Sequence, residues 1–233
     1  MTDLEHLVKD KYDGDATLVT EEDKQQLAAG VPLAYVIGWI PFLGVKVYLS
    51  TGPLIPRPET EWWAEKLIDR IGDKPLSVLD LCSGSGAVGL ALLKHTNVEV
   101  TFSDLEEKYE EDVRRSIAEN GLDASRAHFA SGDLFENVSG TFDIIATNPP
   151  YIPSSRTLDE SVTKHEPASA LFSGEDGLTL IRRIAEKAPT YIKEGGELWL
   201  EADVENVEEA GELLRGTVHQ DLYGRPRLVV AYY

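Results

Sequence analysis

Cysteine is almost absent: Cys82 is the only one in 233 residues. A lone thiol cannot form an internal disulfide, and it leaves no Cys-rich zinc site to assemble. Long apolar runs are missing too, since none approaches the roughly 20 residues that a membrane-crossing helix needs. Basic residues are scarce, 22 Lys and Arg against 41 Asp and Glu, for a formal net charge of −19. That sign repels phosphate backbones and argues against avid nonspecific nucleic-acid binding, while suiting basic partners or plain solubility. The first residues, Met1-Thr2-Asp3-Leu4-Glu5, have neither signal-peptide nor Arg-rich transit character. The expectation is a cytoplasmic monomer without membrane association; a mitochondrial location is the alternative, although no transit peptide is visible.

What is present is enough apolar material, 42% of residues, to bury a core in one large domain or one domain with an appendage. Residues 3–12 and 20–29 have weak helical patterning, and residues 41–55 read as extended segments around Gly44 and Gly52. The expected organisation is a short helical segment over 1–40, a β-hairpin over 41–56 and a main domain over 57–233. Within that domain, strands at 76–81, 98–102, 127–130, 142–146 and 197–201 alternate with helices at 59–71, 87–94, 106–119, 178–188 and 204–214. Two runs at 218–222 and 228–232 close the chain as an antiparallel pair. Alternation of this kind predicts an α/β fold, a parallel sheet covered by helices, with ligands beyond the carboxyl ends of the strands.

The turns after the strands therefore carry the chemistry. The first, "DLCSGSGAVGL" (Asp80 to Leu90), has Gly84, Gly86 and Gly89 at the G-x-G-x-x-G spacing. Glycine permits a sharp turn and close approach of a ligand to a helix N-terminus, but glycines at such turns also serve packing. Asp80 would repel a pyrophosphate and attract an ammonium group. Asp104, ending the second strand, suits two ribose hydroxyls. A nucleoside carrying an amino acid satisfies both, and S-adenosylmethionine (SAM) is such a molecule. Asp80 as a turn cap and Asp104 as a helix cap remain open. After the third strand, Asp133 is a candidate for the adenine amino group and Leu134 for the wall of the base pocket; an ordinary Gly-Asp turn also fits.

The fourth strand ends in "TNPPYIP", Thr147 to Pro153. Proline donates no hydrogen bond, so the Pro149 carbonyl is free to accept, and Asn148 adds a side-chain carbonyl. Two acceptors side by side suit a planar NH2 group, with Pro150 beside them and the Tyr151 ring as a stacking face. Holding both N–H bonds of a weakly nucleophilic amide aligns it and lets electron density localise on nitrogen in the transition state. No metal is required. A plain strand-terminating turn is the competing reading.

With these residues in view, the sequence resembles the release-factor glutamine methyltransferase family. The resemblance covers residues 20–233 and rests on "PLAYVIG" (Pro32 to Gly38), "LIPRPETE" (Leu54 to Glu61), "VLDLCSGSGAVGLAL", "SDLEE", "FDIIATNPPYIP" and "HEPASALFSGEDGL" (His165 to Leu178). It implies a Rossmann-like, seven-stranded, mostly parallel sheet with helices on both faces. It also implies methyl transfer from SAM, leaving S-adenosylhomocysteine, to the glutamine amide of the Gly-Gly-Gln loop in a peptide-chain release factor. By match, Asn148 and Pro149 would hold that amide with Tyr151 beside it, while Asp80, Gly84 and Gly86 would line the methionine end and Asp104 the ribose. Arg57, Pro58, Glu59 and Thr60 match a loop near the active site, with Arg57 and Glu59 as candidates to meet the substrate; a Pro-fixed, N-capped helix start is the competing reading. Cys82 stands where the family often has Gly, "EADVENV" replaces a Gly-Gln-containing segment, and the family carries a longer helical region before its "PLAY" block. Two other readings stay open: a methyltransferase acting on adenine or guanine amines of DNA or RNA, and a scaffold that keeps the fold without catalysis.

Overall fold

Short apolar runs separated by glycine turns and helices build a computed structural model that describes residues 1–233. Three helices come first: α1 (Asp3–Tyr12), α2 (Glu21–Ala28) and α3 (Leu33–Ile37). Thr2 and Thr20 start α1 and α2 with capping boxes, in which Glu5 and Asp23 reach back to the cap N–H groups. Helix α3, five residues long, is too short to show a period and was not expected from the sequence. Asp23 joins the three helices. It accepts Lys11 Nζ at 2.7 Å and the Tyr12 hydroxyl at 2.6 Å, and Lys11 also donates to the Val36 carbonyl at 2.8 Å. Burial alone would raise the Asp23 carboxyl, but the bonds from Lys11, Tyr12 and Thr20 outweigh it and hold the group well below the usual carboxylate range.

Strands β1 (Trp39–Phe42) and β2 (Val45–Tyr48) form the hairpin, closed by Leu43-Gly44 with both residues at positive φ. Such two-residue turns match strand twist. The hairpin is thus earlier and shorter than 41–56, because Gly52 lies in the turn that leaves β2 rather than in a strand. The remaining elements are α4 (Pro58–Ile71), β3 (Ser77–Leu81), α5 (Ala87–His95), β4 (Glu99–Asp104), α6 (Tyr109–Glu119), β5 (Ala127–Ser131), β6 (Phe142–Thr147), α7 (Glu160–His165), α8 (Thr179–Lys187), β7 (Ile192–Glu201), α9 (Val207–Leu214), β8 (Thr217–Gln220) and β9 (Pro226–Tyr232).

The sheet has seven strands in the order β5-β4-β3-β6-β7-β9-β8, parallel from β5 to β7, with β9 antiparallel to both neighbours. Period-two patterning assigns the faces. Val78, Ile144 and Ala146 join a core with the hairpin, α4, α5 and α6, whereas Leu79, Leu81 and Ile145 face a second core with α8 and α9. Both faces of the sheet are therefore covered, as its apolar strands require. Strand β7 begins earlier than its apolar run because Gly195-Gly196 passes through a register shift against β6. A Cβ on Gly196 would lie 2.8 Å from the Asp143 carbonyl. Helices α6 and α9 start three residues later than the sequence suggests. Asp104 and Asp203 bind the N–H groups of Glu106 and Glu205, which tightens those turns before the helices begin. No helix is long and apolar enough to cross a membrane.

Strand order reverses between β3 and β6. In open α/β sheets the crevice at that reversal, beyond the carboxyl ends of the strands, takes the ligand.

Candidate active site

A cleft opens at this place. The turns after β3, β4, β5 and β6 wall it, together with residues 54–60 from the approach to α4 and residues 169–170 from the segment after α7.

Asp80, next to last in β3, is 3% exposed; its Oδ2 accepts the Gly89 N–H at 2.8 Å. Burial pushes its carboxyl up to about 8, the Gly89 bond opposes the shift, and nearby Asp104 adds to it. An ionised Asp80 needs a cation, and its other oxygen, Oδ1, accepts no protein hydrogen bond. Asp104 Oδ1 accepts the Glu106 N–H at 3.0 Å and Oδ2 the Gly84 N–H at 2.8 Å. A carboxylate has about four lone-pair sites, so one remains on each oxygen for a pair of hydroxyls. Both the capping reading and the ligand reading of Asp104 are thus accommodated by one side chain. Burial raises this carboxyl as well, against the bonds from Glu106 and Gly84.

The three loop glycines separate by environment. Gly84, at φ +51°, lines the cleft and a Cβ there would meet nothing within 4 Å. Gly86 is the N-cap of α5 at φ +73° and lies outside the cleft lining; its Cβ would come within 2.7 Å of Val113. Gly89 packs against Phe102, where a Cβ would approach to 2.3 Å. Cys82 also lines the cleft and holds φ +57°, a left-handed conformation that suits Gly better than Cys. Burial pushes its thiol far up, so it is no nucleophile.

After β5, Asp133 and Leu134 both line the cleft, and Leu134 is buried at φ +55°. The Asp133 carboxylate pairs with Arg183 at 2.8 Å, which holds it below the usual range, so one of its oxygens is already engaged. Arg57 and Glu59 are likewise paired: Arg57 with buried Glu166 at 2.6 Å, Glu59 with Arg225 at 2.9 Å. Glu166 also accepts the Ile55 N–H at 3.2 Å and so fastens the loop before α4 to the segment after α7.

After β6, Asn148 and Pro150 line the cleft. Pro149 between them is buried and lies outside the lining, with its carbonyl free of protein donors, as the proline pair implies. Asn148 Nδ2 donates to Thr60 Oγ1 at 3.0 Å, and Asn148 Oδ1 accepts nothing from the protein. Tyr151 is not part of the lining. Its hydroxyl donates to Glu201 Oε1 at 3.1 Å, and Asn206 holds its carbonyl at 2.9 Å.

Glu201 was not singled out in the sequence, and Thr60 was marked only as part of the loop near the active site, with no contact assigned. Glu201 ends β7, the same kind of position that marked Asp80 and Asp104, and that was the available signal. Thr60 is the third residue of α4 inside "LIPRPETE", with nothing local to betray its partner. Tyr109 is a further lining residue, its phenol pushed up to about 12 by burial and by Asp104.

Known proteins resemble this chain in sequence and in fold. The family described as "Methyltransferase small domain" matches residues 63–166. A release factor glutamine methyltransferase of Streptococcus pneumoniae is 36% identical, over 91% of this chain and 81% of that protein. Another, of Deinococcus radiodurans, is also 36% identical, over 89% of this chain and 76% of the relative. Among solved structures, a methyltransferase of Pyrococcus furiosus superposes with a TM-score of 0.59 at 16% identity, covering 91% of this chain and 98% of the other. One solved in complex with SAH gives 0.60 at 16%, covering 84% and 55%. At those identities the solved structures speak for the fold alone, whereas the sequence relatives decide the family: the chain belongs to the release factor glutamine methyltransferases.

Proposed function

We propose that the protein transfers the methyl group of SAM to the side-chain amide nitrogen of the glutamine in the Gly-Gly-Gln motif of a peptide-chain release factor. The observation that carries the reading is the unengaged acceptor Asn148 Oδ1 on the cleft wall, next in sequence to a Pro149 carbonyl that no protein donor takes. Two adjacent acceptors match the two protons of one planar NH2 group. The names of the relatives supply the identity of that group.

The residues of the cleft fit SAM by their chemistry. Asp80, buried and short of a cation, would take the ammonium, and Asp104, with a lone pair left on each oxygen, the ribose hydroxyls. The bare backbone of Gly84 would give the methionine end room, and Gly86 would act through the turn it imposes. Leu134 would form the base wall, with Asp133 sharing its carboxylate between Arg183 and the adenine amine. Bound there, SAM supplies an electrophilic methyl on sulfur. Asn148 and Pro149 would orient the acceptor amide and stabilise charge as it develops on the N–H groups, with Pro150 shaping the approach and Tyr151 bracing the turn from behind through Glu201. Arg57 and Glu59, held by their ion pairs, would form the rim that meets the substrate loop, and residues 1–40 would add to the grip on the release factor.

Asn148→Ala tests the clamp. Turnover should fall roughly 100-fold or more, as when an oxyanion-stabilising donor is removed, with little change in SAM affinity. A parallel loss of SAM binding would remove the clamp role. In the same assay, a release factor with its loop Gln replaced by Ala should accept no label; equal labelling would refute the substrate.

A further inference from the structure

Asn148 is useful as an acceptor only if its side-chain oxygen faces the cleft. Rotated by half a turn, the amide would present NH2 to NH2, donor against donor. Something must therefore select one of the two orientations, and the residues behind Asn148 do so.

Glu201 ends β7 directly beside Asn148, because Thr147 and Leu200 are partners in the β6–β7 ladder. The Glu201 carboxylate is 1% exposed and three side chains converge on it. Trp63 Nε1 donates to Oε2 at 2.6 Å, Thr60 Oγ1 donates to the same Oε2 at 2.7 Å, and the Tyr151 hydroxyl lies 3.1 Å from Oε1. An indole N–H can only donate, so Oε2 is an acceptor in every state of the carboxyl. Burial raises this carboxyl, against the bonds from Trp63, Thr60 and Tyr151; with all three donating, both oxygens act as acceptors, the ionised arrangement. The Thr60 hydroxyl has a single proton, and Glu201 Oε2 takes it. Only lone pairs remain on Thr60 Oγ1 to meet Asn148 at 3.0 Å, so the NH2 edge of Asn148 must face Thr60.

We infer that Glu201 and Thr60 form a positioning relay, anchored by Trp63, that locks the Asn148 amide with Oδ1 toward the methyl acceptor. The relay rests on the reading of Asn148 as the holder of the acceptor NH2. It draws one residue from each of three rigid supports: the Pro-started first turn of α4, the end of β7 and the turn after β6. Neither Thr60 nor Glu201 has to touch the reacting atoms.

Thr60→Val keeps the shape of the side chain and removes the hydroxyl; Thr60→Ser restores it. With a release factor as substrate, Thr60→Val should lower kcat at least roughly tenfold while the SAM dissociation constant moves less than threefold, and Thr60→Ser should recover most of the loss. A purely structural role for Thr60 would instead lower the melting temperature and leave kcat near normal. Unchanged kcat in Thr60→Val, with wild type methylating the loop glutamine, overturns the relay and leaves the substrate reading standing. The second measurement needs no substrate. Nitrogen-15 spectra of the free protein should show the Asn148 side-chain NH2 protected from exchange in wild type and in Thr60→Ser, and unprotected in Thr60→Val. Equal protection in all three overturns the relay, whatever the substrate proves to be.

Discussion

Asp80 shows at the scale of one residue how the cleft is poised. Its carboxyl, raised to about 8 from an ordinary value of 3.8, binds a proton more readily folded than unfolded. Across that window the folded state holds the extra proton, so this group's contribution to stability falls as pH rises from the ordinary value toward about 8. A cation in the cleft reverses the preference and expels the proton. Below roughly pH 7 the α-amino group of SAM stays charged, so binding there should release close to one proton and tighten as pH rises. Calorimetry in two buffers of different ionisation heat measures this; no proton release would contradict the pairing. Asp80→Asn keeps an acceptor for Gly89 and should abolish the proton release and weaken SAM binding at least roughly tenfold, without lowering the melting temperature at pH 8. Asp80 and Asp104 were legible in the sequence because each stands at the end of a strand before a turn, whereas Glu201, in the same kind of position, was passed over. Long-range partners were not legible: Glu201 meets Thr60 across 141 residues of chain, and Asp133 meets Arg183 across 50. Nothing in a local pattern encodes such pairs.

At the scale of the element, the glycine loop between β3 and α5 divides its work in a way that spacing alone leaves undecided. Gly84 borders open cleft, while Gly86 and Gly89 allow α5 to pack on Val113 and Phe102. Gly89→Ala should therefore destabilise the fold by about 1–3 kcal/mol through overpacking, visible as a lower melting temperature in the absence of ligand. Gly84→Ala should cost only about 1 kcal/mol of backbone strain at its positive φ, yet reduce SAM affinity by narrowing the cleft. Equal effects of the two substitutions on binding and stability would contradict the division. The strands themselves were readable because their apolar runs end in marked turns. Helix α3 and the true hairpin ends were not, since five residues show no period and Gly44, in the hairpin turn, looks the same in the sequence as Gly52, in the turn that leaves β2. Asn148-Pro149-Pro150 was readable for the opposite reason: proline states its lack of a donor in the sequence itself.

Over the whole molecule, a charge of −19 and an N-terminal helical unit stand beside a conventional sheet. Asp23 is the hinge pin of that unit, linking α1, α2 and the carbonyl of Val36 in α3. Because its carboxyl is depressed on folding, its contribution is fully present above the ordinary carboxylate value and declines as pH falls from there toward the depressed one. Asp23→Ala should loosen residues 1–30 by about 1–3 kcal/mol, seen as faster amide exchange confined to that segment, with exchange in β3 and SAM affinity unchanged. Global unfolding in the variant would show that the helices support the sheet as well. The acidic surface favours a protein acceptor with basic character over bare nucleic acid.

The central claim is that the Asn148–Pro149 clamp delivers a methyl group to one glutamine nitrogen. It is tested most directly by tandem mass spectrometry of the Gly-Gly-Gln peptide of a release factor incubated with SAM and either wild type or Asn148→Ala. The account predicts a single added methyl on the glutamine side chain with wild type and almost none with the variant. An unmodified glutamine with wild type, or a methyl group on another residue, would contradict it.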